Sequence, residues 1–475
     1  MTEAAASRFA RLSRRLRAMR DDELVRKLAR GGIQSVLIKS GGAALSLVMM
    51  IALARVMDPE DYGRFGFGFS VAMFASVVAG LGLQLGIMRW RPEHEVQGAP
   101  HLALAAERWA GNLTLAAASV AAASIAAGGW AASALAPSLG LPTPDAFSPQ
   151  VAAAAGSFTI PLAASAFTAA ALRARGSTVA ALAPRDLAWR TALSAAAFWL
   201  ASRGARIDAA EALLLCAALL ALATLGQYAL TGVRPGPAPG AAGDLPALSL
   251  SGPAWSWMRQ ATPMWLSSVM TAMQRHFEVV LVGLFLAPAV TGLYFAAVSS
   301  AQVIGLMLLA GNMVAGPLVA RTYHAGDIAG LQRLLRLVML GVTGPTLAAL
   351  ALLWVFGDFV LSLFDPSYAG QGALLALLAC GTAAMTLTGP AALVLMLASA
   401  ERAQMRIVSR VVPLMALSQA AAIPLFGAWG AAALNVTGAI VLGVWSRGAC
   451  LRLIGVDPTV LCLLRRPAAA NGHAG

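Results

Sequence analysis

At 475 residues the chain is long enough for two or three soluble domains, but hydrophobic residues reach 59% and charged residues only 12%, about half the charged share of a soluble protein. That composition excludes an ordinary soluble enzyme and fits a chain embedded in lipid. The formal net charge of +13 raises nucleic-acid binding as a class, yet the charges follow the membrane rather than a nucleic-acid footprint.

The first thirty residues hold nine basic groups and no apolar core of signal-peptide length, so no cleavable signal is expected. Phe9, Leu12, Leu16 and Met19 recur at helical spacing opposite Arg8, Arg11, Arg14, Arg15 and Arg17. That pattern fits residues 1–32 as an interfacial helix on an anionic inner leaflet, and equally a basic tail that only sets topology.

Apolar runs then follow at the length needed to cross about 30 Å of hydrocarbon as helix. Their uniform hydrophobicity, without period-two alternation, excludes barrel strands. The expected spans are 33–57, 65–88, 110–135, 150–172, 181–201, 210–230, 261–286, 292–316, 337–356, 370–397, 407–426 and 428–446. With a cytoplasmic amino terminus, 28 of the 34 Lys and Arg are assigned to cytoplasmic segments, taking Arg185, Arg190 and Arg410 near the cytoplasmic ends of their spans with the loops, while Arg64, Arg203 and Arg206 lie outside and Lys39, Arg55 and Arg275 lie within spans. This asymmetry obeys the positive-inside rule and supports an even number of spans with both termini in the cytoplasm.

The stretch 231–260, rich in Pro and Gly, separates two sets of six spans, an N-terminal lobe at 33–230 and a C-terminal lobe at 261–446, with a cytoplasmic tail at 447–475. A repeat supports the division: residues 57–70 align with 286–299, matching Pro59 to Pro288, Gly63 to Gly292, Phe65 to Tyr294 and Ser70 to Ser299. Six spans per half give the two repeats the same orientation.

No catalytic chemistry emerges. Cys216, Cys380, Cys450 and Cys462 have no metal or redox spacing, the five histidines form no metal motif, and no phosphate loop or nucleophile elbow occurs. Neither a cofactor nor a metal is expected. Glu278 is the acid nearest the middle of an expected span, three residues after Arg275. Regular helix would set both on one face, either as a functional site or as a pair that neutralises itself. Lys39 lies two turns into the first span, where it faces a cavity or snorkels to headgroups. Arg55 lies at that span's far end beside Asp58, Glu60 and Asp61, as a site residue or an interfacial anchor. Gln274 adds a neutral hydrogen-bonding group, useful to a sugar or to helix packing. A cavity lined by Lys39, Arg275 and Arg55 would suit an anionic ligand, with Arg particularly fitted to phosphate.

The run LARVMDPEDYGRFGFGFSVAMF after the first span resembles the amino-terminal signature of polysaccharide biosynthesis flippases. These belong with the multidrug, oligosaccharidyl-lipid and polysaccharide exporter superfamily. TPMWLSSVMTAMQRHFEVVLVGLFLAPAVTGLYFAAVSS and LFDPSYAGQGALLALLA resemble later segments of the same family, extending the likeness over 33–456. The resemblance implies an all-α integral membrane fold of about twelve helices in two six-helix lobes around a central cavity, working by alternating access. It also implies a bacterial inner-membrane location and, as cargo, an undecaprenyl-diphosphate-linked sugar or oligosaccharide for a surface polysaccharide, exopolysaccharide or lipopolysaccharide. Other polysaccharide-assembly membrane proteins are then expected partners, beside the lipid bilayer. It further implies cationic residues for the diphosphate, to which Lys39 and Arg275 correspond first and Arg55 after them; with Glu278 and Gln274, read from the spans themselves, they make up the expected substrate-binding set. An ion-coupled multidrug exporter, a membrane glycan polymerase or ligase, and a non-transporting scaffold are the competing readings. The longest outward loop, 136–149, carries one charge, Asp145, which disfavours an enzyme.

Overall fold

The computed structural model describes residues 23–136, 145–231 and 252–464. Every regular element among them is helical. In chain order these are α1 (Glu23–Ala54), α2 (Pro59–Ala79), α3 (Leu83–Val96), α4 (Pro100–Leu135), α5 (Pro149–Ala174), α6 (Thr178–Ala183), a π turn (Pro184–Ala188), α7 (Trp189–Ser202) and α8 (Ala209–Thr231). After residues 232–251 come α9 (Pro253–Ala272), a second π turn (Met273–Phe277), α10 (Glu278–Phe285), α11 (Pro288–Ala301), α12 (Gly305–His324), α13 (Ile328–Ser362), α14 (Gly372–Leu387), α15 (Ala391–Leu397) and α16 (Glu401–Leu453).

Among the described residues, nine helical stretches are long and apolar enough to cross a membrane. One of them, α16, contains a non-helical Gly427 at φ +60°, a conformation open to glycine. Its arms fold back on each other, since Ser446 Oγ donates to Gln404 Oε1 at 3.4 Å. Two further passes, α6–α7 and α9–α10, are each interrupted by a π turn. The described residues thus make twelve passes, the number that the hydropathy pattern predicts.

The predicted boundaries differ mainly where helices run on past the hydrocarbon. α1 starts ten residues before the expected span, α4 likewise, and α13 runs nine residues before and six after its apolar core. Amphipathic helix ends can lie in the interface, where hydropathy alone does not register them. Helix starts are better marked, because Pro59, Pro100, Pro149, Pro253 and Pro288 each open a helix, where a missing N–H is harmless. Pro253 therefore ends the expected linker eight residues early. The interfacial helix expected over 8–19, most of the linker and residues 465–475 lie outside the described residues.

Alanine and glycine set the packing. An added Cβ at Gly156 of α5 would lie 2.6 Å from the Ala122 carbonyl oxygen of α4, and one at Gly129 would lie 2.2 Å from the Ala152 methyl group. Small residues permit the close backbone approach on which helix association in lipid depends. As a result α5 is enclosed by α2, α3, α4 and α8, whereas Leu337, Leu340, Val355 and Phe359 of α13 are exposed, as a lipid-facing surface requires.

Helices up to α8 pack chiefly among themselves, as do those from α11 onward. The two sets meet at the repeated segment. Gly63 of α2 and Gly292 of α11 face each other reciprocally: a Cβ on Gly63 would lie 1.7 Å from the Pro288 carbonyl oxygen, and one on Gly292 2.8 Å from that of Pro59. Around this crossing Tyr62, Phe65, Phe69, Phe295 and Phe364 stack with ring centroids 5.6–6.3 Å apart.

Candidate functional site

Lys39 lies half-buried on α1, two and three residues before Gly41 and Gly42. The π turn of the fifth pass rests on those glycines, since a Cβ at Gly42 would come 2.8 Å from the Asp186 carbonyl oxygen. Pro184 explains the turn: with no N–H to donate, it breaks the regular ladder and leaves room for a wider turn. Arg190 clamps the junction, its Nη1 donating to the carbonyls of Gly42 at 3.3 Å and Asp186 at 3.0 Å. Its guanidinium also lies 5.4 Å from the centre of the Trp189 ring.

This junction gathers charge. Lys39 is within electrostatic range of Asp186, Arg185, Arg173 and Arg275, and Arg190 within range of Asp186 and Arg185. Four cations, Lys39, Arg173, Arg185 and Arg190, are therefore within electrostatic range of the Asp186 carboxylate, with Arg275 in range of Lys39, and the Arg190–Asp186 contact is loose at 3.9 Å. Such an excess of positive charge inside a bundle is costly unless an anion enters. Guanidinium groups in that position can hold phosphate oxygens by paired hydrogen bonds.

Of the residues expected at the site, Lys39 and Arg275 come together here. The other three do not. Arg55 follows Lys39 by sixteen residues, about 24 Å along a helix, and is bound elsewhere, its Nε donating to the Leu363 carbonyl at 2.6 Å. Glu278 is 7% exposed and forms no ion pair with Arg275. Tyr294 Oη donates to one of its oxygens, and Asn435 Nδ2 to the other at 2.6 Å. The second π turn holds Gln274, Arg275 and His276, and its extra residue turns Arg275 and Glu278 away from the shared face that regular spacing predicts. Gln274 stays with Glu278 and Gln419 around a cavity of ≈ 20 Å³.

Arg173, Arg185, Asp186 and Arg190 were missing from the expected site because they were assigned to the cytoplasmic loop. The available signal was that three of them fall inside the expected span 181–201, where an ionisable group by default marks a site. The three cations expected within spans, Lys39, Arg55 and Arg275, are thereby joined by Arg185 and Arg190. Among the described residues, no group of three or more His, Cys, Asp or Glu could hold a metal ion.

Residues 28–106 match the family model described as polysaccharide biosynthesis protein. No curated protein matches the chain. Among solved structures, the chain is similar to an inward-facing multidrug resistance MATE family transporter of the MOP superfamily, at 16% identity and TM-score 0.64 over 89% of this chain and 98% of that one. An outward-facing transporter of the same description matches at 12% identity and TM-score 0.53 over 90% and 96%. A MOP superfamily transporter from Pyrococcus furiosus, described as having a binding pocket of reversed polarity that suggests a different function, matches at 15% identity and TM-score 0.55 over 90% and 96%. The chain is a multi-pass membrane protein with the fold of MOP superfamily transporters, and it carries the polysaccharide biosynthesis sequence pattern over residues 28–106.

Proposed function

We propose that the chain is a flippase that carries an undecaprenyl-diphosphate-linked sugar or oligosaccharide across a bacterial cytoplasmic membrane for polysaccharide assembly. The observation that carries this reading is the cluster of Lys39, Arg173, Arg185 and Arg190 within electrostatic range of the single Asp186, with Arg275 in range of Lys39. A diphosphate offers the matching charge. The sugar needs a polar passage because each unpaired hydroxyl costs about 2–7 kcal/mol to desolvate, while the polyprenyl tail can remain in lipid.

The multidrug-export reading draws on the MATE descriptions of several similar structures. Organic cations call for acids in the passage. Here Glu278 is engaged by Tyr294 and Asn435, and Asp186 is outnumbered. Pocket polarity varies within this fold, as the description of the Pyrococcus furiosus transporter indicates, so polarity discriminates where the fold does not.

The test uses the full chain in proteoliposomes loaded with a polyprenyl-diphosphate disaccharide. Lys39→Ala, Arg185→Ala and Arg275→Ala should each lower translocation by on the order of tenfold or more, the value of one charge-assisted hydrogen bond, with melting unchanged. Export of cationic dyes by the wild type, with indifference to the lipid diphosphate, would establish the alternative. In cells, loss of the gene should leave completed lipid-diphosphate precursor on the cytoplasmic leaflet. Precursor found facing outward and unpolymerised would point to a polymerase or ligase.

A further inference from the structure

The two arms of α16 leave a groove between their free ends, away from the central cluster. It has a volume of ≈ 510 Å³, and its lining includes Arg406, Arg410 and Arg452, the exposed Trp445 and the small pair Gly448 and Ala449, with no acidic residue. Arg406 and Arg410 are one helical turn apart on the first arm, and Trp445, Gly448 and Arg452 share one face of the second.

Two observations make this more than a basic helix end. Among the described residues, none of the three arginines forms an ion pair. This contrasts with Arg447 on the same arm, which is paired with Asp457 at 2.7 Å. Arg406 makes only a 3.4 Å contact back to the Arg402 carbonyl of its own helix. The floor of the groove is also empty, since a Cβ at Gly448 would meet nothing within 4 Å. The remaining wall is apolar, formed by Ile407, Val444 and Leu453. A charged mouth above an apolar slot, with a tryptophan at the rim, matches an amphiphile standing in a bilayer interface.

We propose that this groove binds one anionic phospholipid of the surrounding bilayer, its phosphate held by Arg406, Arg410 and Arg452 and an acyl chain lying along Ile407, Val444 and Trp445. Charge complementarity selects an anionic headgroup over a zwitterionic one. Twelve passes return the end of α16 to the membrane face from which α1 starts, where basic segments concentrate and anionic lipid attracts them. The bound lipid bridges the two arms on the side opposite Gly427, adding to the Ser446–Gln404 bond that links them near their free ends. The site does not depend on what the central cluster carries.

Native mass spectrometry of the purified full chain, titrated with phosphatidylglycerol or phosphatidylcholine in detergent, tests the assignment. Wild-type protein should bind one phosphatidylglycerol at least about tenfold more tightly than phosphatidylcholine. R406A/R410A/R452A should lose on the order of 100-fold, from about fivefold per cation at a membrane surface. R406K/R410K/R452K should keep most of the preference. Gly448→Leu, which fills the slot without removing charge, should weaken both lipids and leave melting in lipid-free detergent unchanged. Equal affinity of wild type for the two lipids, or undiminished phosphatidylglycerol binding in both the alanine triple variant and Gly448→Leu, would overturn the site. Displacement of the lipid by millimolar inorganic phosphate would also overturn it, as a site for free phosphate.

Discussion

Asp457 is 1% exposed and receives bonds from Arg447 Nε at 3.0 and 3.1 Å, from Arg447 Nη2 at 2.7 Å and from the Thr459 hydroxyl at 2.8 Å. Its backbone is tied to Gln332 of α13 through bonds of 2.7 and 3.0 Å, so this one residue anchors the chain after α16. Burial pushes its carboxyl up, but the bonds from Arg447 and Thr459 outweigh burial and hold it below the usual aspartate range. A carboxyl depressed by folding contributes stability that is complete above its unfolded value and is lost as pH falls through the folded value. The melting midpoint of the solubilised protein should therefore fall as pH drops below about 4, and Asp457→Asn should flatten that slope. The same variant should lose about 2 kcal/mol near neutrality, the usual worth of a charged hydrogen bond. An unaltered pH slope in Asp457→Asn would assign the acid sensitivity elsewhere.

Glu278 supplies a second comparison between neighbours in sequence. Its partners are Tyr294 and Asn435, so Arg275→Ala strands no buried charge and should leave cellular abundance near wild type. Tyr294→Phe and Asn435→Ala each remove a partner and should lower stability by about 1–3 kcal/mol, the cost of an unsatisfied buried group. Equal loss of abundance in Arg275→Ala and Asn435→Ala would restore the self-neutralising Arg275–Glu278 pair.

The helices themselves were legible, and so was their number, because a run of apolar residues long enough to cross lipid has few other folds open to it. What stayed hidden was local winding. Met273–Phe277 forms a π turn without a proline, so nothing in the hydropathy pattern signals that Arg275 turns toward Lys39 while Glu278 turns away. The turn at Pro184–Ala188 does have a marker in Pro184, and the adjacent Arg185 and Asp186 went unassigned to the site because charge near a span edge resembles a loop. Lys39 was legible as a cation inside a span, whereas its partners on other helices depend on tertiary packing at Gly41 and Gly42. Pro184→Ala tests the element directly. Restoring the N–H lets the helix wind regularly and swings Arg185 off the cluster, so affinity for a polyprenyl diphosphate should drop about tenfold, the worth of one charged hydrogen bond, while melting holds or rises. Unchanged affinity would mean that the π turn does not aim Arg185.

Across the whole molecule, the repeated segments form a seam as well as a sequence symmetry. Pro59–Gly63 and Pro288–Gly292 meet reciprocally where α1 ends, and Arg55 ties α1 to the Ser362 and Leu363 carbonyls at 3.3 and 2.6 Å. Lys39 and the cationic cluster lie about 24 Å away along α1, nearer the opposite face. The seam thus closes one face while the charged site lies toward the other, the arrangement of one state in an alternating cycle. Transport then requires the seam to part. Cysteines at Arg55 and Leu363, joined by a short reducible cross-linker, should abolish translocation of a lipid diphosphate, preserve its binding from the face where α1 starts, and regain full rate after reduction. Gly63→Ala works in the opposite sense: its methyl group would meet the Pro288 carbonyl oxygen at 1.7 Å, so the closed seam is disfavoured and the population shifts toward the other state. Accessibility of a cysteine at Tyr62 to a membrane-impermeant maleimide should then rise in Gly63→Ala. Translocation at the wild-type rate by the cross-linked protein would show that the seam stays shut throughout transport, and the cycle would have to run through some other opening.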